Sequence, residues 1–327
     1  MRPIEFSRAD AVEGALAQVR GGSAFLAGGT TEVDLLRLNV LPETHLIDIN
    51  TLPLAGIEHR EDGGVHLGAL ARMSDVAADP GVRERFPAIA QALELSASAQ
   101  LRNMASMGGN LMQRVRCGYY RDVASACNKR EPGSGCAALN GVNREHAILG
   151  TSESCIATHP SDVAVALVAL DAVVRVQGPR GEREIAIDDF FLLPGDTPDL
   201  EQLLEHGELI TGMGVPPLEA ARHSLYLKVR DRESYQFALA SVAVAMEVRD
   251  GVIQELRLAL GGVATKPWRC RTAEAMLTGQ ALDTADFGAA ARAELAGARP
   301  RPMNAFKVPL AERTLVRALH TATGGAR

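Results

Sequence analysis

Residues 23–37 read SAFLAGGTTEVDLLR, and this stretch contains the pattern that decides the fold. An apolar run typical of a buried strand, 23–27, leads into the pair Gly28-Gly29 and then into a helical pattern from Glu32 to about Leu38. A second strand pattern follows at 45–49. Strands that alternate with helices indicate an α/β protein.

Similar patterns extend along the chain. Strands are predicted at 65–67, 173–176 and 183–187, and helices at 88–98 and 162–171, with another helix opened by Ser74 or Asp75 as its N-cap. Residues 242–248 and 256–260 alternate on either side of Asp250-Gly251, which predicts a β-hairpin with one buried face. Helical patterns follow at 272–277, 286–295 and 309–319. We therefore expect a mixed α/β (α+β) fold.

The length of 327 residues predicts more than one domain. Pro216-Pro217 and the polar residues after it mark the best boundary, between domains at 1–218 and 219–327. The first domain is expected to have subdomains at about 1–57 and 58–218. Residues 116–151 are rich in Gly, Asn, Arg and Cys and have no sustained period, so they indicate an inserted loop. A loop of this length needs either a staple or a function.

Composition excludes several classes of protein. A hydrophobic fraction of 46% and a charged fraction of 23% are typical of soluble globular proteins. The net charge of −6 has the wrong sign for a nucleic-acid binder, so no nucleic-acid partner is expected. The longest apolar run, 163–170, is too short for a membrane span, and the N-terminus lacks the pattern of a signal peptide.

Three loops could bind a ligand. Gly28-Gly29 joins a strand end to a helix start, where free backbone amides can bind a phosphate, although the simpler interpretation is a tight turn. This loop is neither a GxGxxG fingerprint nor a P-loop. The loop 102–110 also contains a Gly-Gly pair, and in the loop 158–162 Ser161 or Asp162 is expected to cap the next helix. Together the three loops could surround one extended ligand with phosphates and hydroxyls.

Four of the five cysteines form a group in the sequence. Cys117, Cys127, Cys136 and Cys155 are separated by nine, eight and eighteen residues, whereas Cys270 lies far away. The group contains no short Cys-x₂₋₄-Cys pair of the kind usual in zinc sites. Spacing alone leaves open a [4Fe–4S] cluster, two disulfides or unrelated thiols.

Taken in order, these motifs resemble a known family. The order is Ala-Gly-Gly-Thr at 27–30, Leu-Arg-Asn-x-Ala-Ser-x-Gly-Gly-Asn at 101–110, Pro-Ser-Asp at 160–162, Lys-Val-Arg-Asp-Arg at 228–232 and Leu-Gly-Gly-Val-Ala at 260–264. The whole chain resembles the FAD-binding medium subunit of the xanthine dehydrogenase and molybdenum hydroxylase family. The cysteine segment resembles most the FAD and iron–sulfur subunit of bacterial periplasmic aldehyde oxidoreductases, with 4-hydroxybenzoyl-CoA reductase as the rival assignment.

The resemblance implies a fold and a set of site residues. The fold is a two-part FAD-binding domain of the vanillyl-alcohol-oxidase type, with a [4Fe–4S] insert at about 116–157, followed by a smaller CO-dehydrogenase-flavoprotein-like domain. The implied ligands of the cluster are Cys117, Cys127, Cys136 and Cys155. The residues implied to bind FAD are Leu26, Ala27, Gly28, Gly29, Thr30, Thr31, Glu32, Val33, Ser106, Gly109, Asn110, Ser161, Asp162 and Lys228.

Two of these residues carry specific expectations. Lys228 matches the family's lysine near the flavin, where a cation would favour the reduced, anionic cofactor, whereas the simpler interpretation is a surface lysine. Glu32 departs from the apolar residue usual at its position. Phosphate would repel a carboxylate there unless the side chain points to solvent.

The implied function is electron transfer through FAD in a molybdenum-dependent aldehyde oxidoreductase. The resemblance implies a heterotrimer with a large molybdenum-cofactor subunit and a small [2Fe–2S] subunit, together with an external electron acceptor. It also implies a periplasmic location reached by co-export with a signal-bearing partner, with the cytoplasm as the alternative. A disulfide-stabilised scaffold protein is the hypothesis outside the enzyme class.

Overall fold

The first of three sheets is parallel and lies near the N-terminus of the computed structural model, which describes residues 2–324. Its strands are β1 (Glu5–Arg8), β2 (Ser23–Leu26) and β3 (His45–Asp48), in the order β1-β3-β2. Helix α1 (Val12–Ala17) connects β1 to β2, and α2 (Glu32–Arg37) connects β2 to β3. The strand–helix–strand pattern predicted from residue 23 onward is therefore confirmed.

The second sheet has five strands and is antiparallel. Its strands are β4 (Ile57–His59), β5 (Val65–Gly68), β6 (Val173–Gly178), β7 (Gly181–Ala186) and β8 (Leu209–Val215), in the order β4-β5-β8-β6-β7. The long segment between β5 and β6 carries seven helices, and one more follows β7. They are α3 (Met73–Ala78), α4 (Pro80–Arg85), α5 (Pro87–Glu94), α6 (Ala99–Met104), α7 (Met107–Leu111), α8 (Gly118–Arg121), α9 (Asp162–Ala169) and α10 (Ile187–Phe190).

Two helices differ from the prediction. The single helix expected at 88–98 ends at Glu94, because Ala97 takes a left-handed conformation with φ 47° and Ser98 caps the separate helix α6. The helix expected to open at Ser74 or Asp75 begins at Met73 instead. The Ser74 hydroxyl donates to the Asp75 carboxylate, so it does not cap a backbone amide.

The third sheet forms the C-terminal unit. Its strands are β9 (Ser224–Val229), β10 (Ala240–Arg249), β11 (Val252–Gly261) and β12 (Trp268–Arg269), in the order β12-β11-β10-β9. The predicted hairpin is confirmed: β10 pairs with β11 through Asp250 and Gly251, both at positive φ. Three helices complete this unit, α11 (Arg271–Leu277), α12 (Phe287–Glu294) and α13 (Lys307–Ala322), and short 3₁₀ turns lie at Glu219–His223 and Leu295–Gly297.

Helix α9 positions the site, because it packs between α5 and the strands β10 and β11 with every residue buried. The insert at 116–157 is irregular, as expected from its sequence. Its only helix is α8, and two isolated bridges involve it: one between Cys127 and Cys136, and one between Leu149 and Ala264 of the C-terminal unit. Among residues 2–324, no helix combines the length and the apolar character that a membrane crossing requires.

Candidate functional site

A cleft of about 850 Å³ opens beside the first sheet. This volume is near the upper end of the roughly 300 to 1,000 Å³ usual for ligand sites. Five segments form most of its wall: the loop after β2, the loop that leads into α7, the start of α9, the segment before β8 and the segment between β9 and β10. All three loops predicted to surround one ligand contribute to this wall.

The loop after β2 is built around two glycines. A Cβ at Gly28 would overlap the carbonyl oxygen of Met104, and Gly29 has φ 68°, so a side chain is excluded at the first position and strained at the second. The amides of Gly28 to Thr31 donate to no acceptor among the described residues. Since all four residues line the cleft, unpaired backbone donors are available to an anion there.

Most of the predicted cofactor residues lie in the cleft wall, and four do not. Those in the wall are Ala27, Gly28, Gly29, Thr30, Thr31, Glu32, Ser106, Gly109, Asn110 and Asp162. Those outside it are Leu26, Val33, Ser161 and Lys228. Val33 is 43% exposed on α2, and Ser161 is buried behind the wall.

The polar side chains of the second and third loops are already paired with each other. The Ser106 hydroxyl accepts from the Gly109 amide at 3.2 Å and caps α7. The Ser161 hydroxyl caps α9 and donates to Asn110 Oδ1 at 2.5 Å. Asn110 Oδ1 also accepts from Gln113 at 3.0 Å. These side chains therefore join the two loops to each other, beneath the surface of the cleft.

Asp162 is the centre of a buried polar network. Its carboxylate accepts from the Tyr226 hydroxyl at 2.6 Å, from Lys228 Nζ at 2.8 Å and from the Ser96 hydroxyl at 3.0 Å. Burial beside this carboxylate raises the pKa of Tyr226 well above its ordinary value. The side chain of Lys228 is 1% exposed, so it is not a surface lysine. It lies behind Asp162 and also donates to the Leu95 carbonyl.

Glu32 does not meet the condition stated for a carboxylate beside phosphate, because its side chain is not directed to solvent. The Oε1 atom of Glu32 is buried and has no hydrogen-bond partner among the described residues. The same is true of Oε2 of Glu43, which lies in the same wall. Burial and the nearby Glu43 carboxylate raise the pKa of Glu32 to about 7. A substantial fraction of Glu32 is therefore neutral near pH 7, which weakens its repulsion of an anion at the adjoining loop.

Sequence reasoning missed three arginines in the cleft wall, Arg114, Arg116 and Arg121. Arg116 and Arg121 extend from the start of the insert to the loop after β2, where Arg116 Nη2 donates to Thr31 Oγ1 at 3.1 Å. This contact joins residues 85 positions apart. The only signal in the sequence is that Arg116 directly precedes Cys117, which does not reveal where its side chain lies.

The four grouped cysteines line one small internal cavity, together with Tyr120 and Lys129. All five cysteines are free thiols, and Cys270 is buried in the separate core of the C-terminal unit. Among the described residues, no group of three or more His, Cys, Asp or Glu side chains is placed to hold a metal ion. Four thiols therefore surround a shared cavity without converging on a single-ion position.

The surroundings of these thiols are largely apolar. Burial raises the pKa of Cys117 and raises that of Cys155 to about 11. Two polar groups nevertheless reach the sulfurs: His146 Nε2 lies 3.2 Å from Cys117 Sγ, and the Ala157 amide donates to Cys155 Sγ at 3.4 Å. Burial therefore favours the protonated form of Cys117 and Cys155, and a bound cation would favour their thiolates instead.

An ion-paired chain connects the cysteine cavity to the cleft. Lys129 Nζ lies 3.5 Å from Glu201 Oε1, and Arg114 Nε lies 2.9 Å from the same oxygen. Lys129 is in the wall of the cavity, whereas Glu201 and Arg114 are in the wall of the cleft. Three ion-paired side chains therefore join the lining of the cavity to the lining of the cleft.

Two family descriptions match consecutive parts of the chain. Residues 2–218 match the FAD binding domain in molybdopterin dehydrogenase, and residues 225–322 match the CO dehydrogenase flavoprotein C-terminal domain.

Individual proteins match over most or all of their length. The Escherichia coli aldehyde oxidoreductase FAD-binding subunit PaoB is 47% identical, with all of both chains covered. The glyceraldehyde dehydrogenase medium chain of Sulfolobus acidocaldarius is 29% identical over 86% of this chain and 84% of its own. Among solved structures, carbon monoxide dehydrogenase from Hydrogenophaga pseudoflava matches with a TM-score of 0.76 and 26% identity, covering 100% of this chain and 99% of that one.

Proposed function

This chain belongs to the FAD-binding medium subunits of the molybdenum hydroxylase family, and we propose that it is the electron-transfer subunit of an aldehyde oxidoreductase. The observation that carries the proposal is full-length similarity to an aldehyde oxidoreductase subunit, combined with a large cleft lined by unpaired amides. In this role the chain takes electrons from the iron–sulfur centres of its partners and delivers them to an external acceptor.

The residues of the cleft fit FAD. The free amides of Gly28 to Thr31 suit its diphosphate, and the closeness of Gly28 to the Met104 carbonyl explains why the loop lacks a side chain there. Ser106, Gly109 and Asn110 would form the wall on the flavin side, and Asp162 with Lys228 behind it would set the charge beneath the cofactor. FAD, when bound, supplies reversible one- and two-electron chemistry.

We also propose that Cys117, Cys127, Cys136 and Cys155 hold a [4Fe–4S] cluster. Four thiols around one cavity match the ligand count of such a cluster, and the lack of a single-ion position disfavours zinc. Lys129 and the amide at Ala157 would offset the negative charge of the bound thiolates. Because ion-paired side chains join the lining of this cavity to that of the cleft, we expect a cluster there to exchange electrons with the flavin.

The proposed partners are a large molybdenum-cofactor subunit and a small [2Fe–2S] subunit, which form a heterotrimer with this chain. We propose that the assembled complex reaches the periplasm through a signal on the small subunit, with the cytoplasm as the alternative. Insertion of the cluster before export would protect the four thiols from disulfide formation. Cell fractionation with and without that signal tests the location: protein outside the cytoplasm after its deletion contradicts co-export.

Absorbance and metal analysis of the purified complex test the cofactors. We expect flavin bands, broad iron–sulfur absorption and about four irons attributable to this chain. Aldehyde-dependent reduction of an artificial acceptor should disappear when the chain is omitted from the complex. A colourless, folded protein with disulfides among the four cysteines would support the scaffold hypothesis instead.

A further inference from the structure

We propose that Arg116 and Arg121 complete the diphosphate-binding site of the cleft, so that the insert and the loop after β2 hold FAD jointly. The proposal rests on FAD binding by this chain and adds residues that belong to the insert. It assigns the insert a direct part in binding the cofactor, in addition to its proposed cluster.

The two guanidinium groups meet at the start of α2. Arg116 Nη2 donates to Thr31 Oγ1 at 3.1 Å, and Arg116 Nη1 lies 3.7 Å from Asp34 Oδ2. Arg121 Nη2 donates to the same Asp34 oxygen at 2.7 Å. The Arg116 guanidinium also lies over the ring of Phe237, 5.2 Å from its centre. All five side chains therefore lie together in the wall that contains the unpaired amides.

The two arginines carry more positive charge than the one neighbouring carboxylate neutralises, and some of their donors are unpaired. Arg116 Nε and Arg121 Nη1 are buried and have no acceptor among the described residues. One carboxylate, that of Asp34, serves both guanidinium groups. An anion in the cleft would offset the excess positive charge by contacting the partly exposed guanidinium groups, whose side chains are 28% and 25% exposed.

A diphosphate fits these requirements better than a single carboxylate. The unpaired amides of Gly28 to Thr31 already favour an anion. Thr31, the last of these four residues, also accepts a hydrogen bond from Arg116 through its hydroxyl. Arg114, by contrast, is already paired with Glu201 at 2.9 Å. The free positive charge of this wall is therefore concentrated at Arg116 and Arg121.

The position of Arg116 links the two sites covalently, since Cys117 is the next residue. Any change that displaces Cys117 also displaces a group that we assign to the diphosphate. By thermodynamic linkage, FAD should stabilise the insert to the same extent that an intact insert strengthens FAD binding.

The test is titration of flavin-free complex with FAD and, separately, with riboflavin, which has no phosphate. Replacing Arg116→Gln or Arg121→Gln should raise the Kd for FAD about 10- to 100-fold, because each removes a charge-assisted contact. The Kd for riboflavin should stay within about twofold of the wild type. Arg144→Gln is the matched control, because Arg144 also belongs to the insert but pairs with Asp231 outside the cleft wall.

Two results would overturn the inference. One is an unchanged Kd for FAD in both variants, and the other is an equal loss of FAD and riboflavin binding, which indicates a purely structural role. If a Gln variant does not fold, ionic strength carries the test on the wild-type complex: the Kd for FAD should rise several-fold with added salt while the Kd for riboflavin stays constant, and an equal response of the two would overturn the inference. A wild-type complex that binds no FAD would contradict the proposed function itself, which makes the two failures distinguishable.

Discussion

The loop Gly28–Thr31 offers a ligand its backbone amides, whereas the insert at 116–157 offers side chains. The loop joins a strand to a helix, and its shape is set by two glycines: Gly28 packs against the backbone of Met104, and Gly29 has a positive φ. The insert has little regular structure and is held by side chains such as Arg130, which donates to the carbonyls of Tyr119, Tyr120 and Ser125. The difference predicts that the loop keeps its shape through backbone packing, while the insert depends on individual side chains.

The largest expected effect is the loss of the cluster from the insert. Cys136→Ser should remove essentially all iron attributable to this chain, because one of four proposed ligands is lost, and should lower FAD content as well through Arg116. Cys270→Ser is the control, since Cys270 is buried in a separate core, and should leave about four irons. Iron and flavin analysis of both variants decides the outcome. Unchanged iron in the Cys136 variant would refute the ligand assignment.

The second prediction concerns the buried ion pair between Asp162 and Lys228, which we expect to contribute to protein stability and to the flavin potential. Lys228→Met leaves the Asp162 carboxylate buried without its cation, which should lower the free energy of unfolding by about 3 to 5 kcal/mol. Chemical denaturation measures this change. In variant complex that retains FAD, the flavin midpoint potential should fall, because the reduced anionic form loses a nearby cation. An unchanged potential would argue against a role in tuning the flavin.

A glycine-to-alanine substitution should have different effects in the loop and in the insert. Gly28→Ala should destabilise the protein by about 1 to 3 kcal/mol and weaken FAD binding, because the new Cβ would overlap the Met104 carbonyl. Gly118→Ala, in the insert, meets no atom within 4 Å and should change neither property. Denaturation curves and FAD titrations of the pair measure the contrast. Equal effects at both positions would contradict the view that backbone packing shapes the cleft.

The smallest effect concerns pH. The pKa of Glu32 is raised from 4.5 to about 7, so its neutral form favours folding at low pH and this contribution is lost as pH rises from about 4.5 through 7. Glu32→Gln should therefore stabilise the flavin-free protein above pH 7.5 by about 1 to 3 kcal/mol, with little effect at pH 4.5. Denaturation at both pH values measures the difference. Glu153→Gln, at an 86% exposed side chain, should show no such dependence.

Local patterns in the sequence identified much of the backbone around the cleft. The glycine pair, the strand before it and the helix after it lie within 15 consecutive residues, and the hairpin at 240–261 has both alternation and an Asp-Gly turn. Such signals predict structure because the interactions behind them involve neighbouring residues. Strand β1 was not predicted from the sequence. Three of its four residues are exposed, so the segment lacks the alternation of apolar and polar residues that marks a strand with one buried face.

By itself, the sequence determined the positions of the glycine loop and of the four grouped cysteines, because turn geometry and residue type are local properties. The tertiary structure decided what these residues meet. It brought the four thiols to one cavity, buried Glu32 beside Glu43 and carried Arg116 to Thr31. Those outcomes depend on packing between segments far apart in the chain, and one sequence contains no local pattern that specifies such contacts.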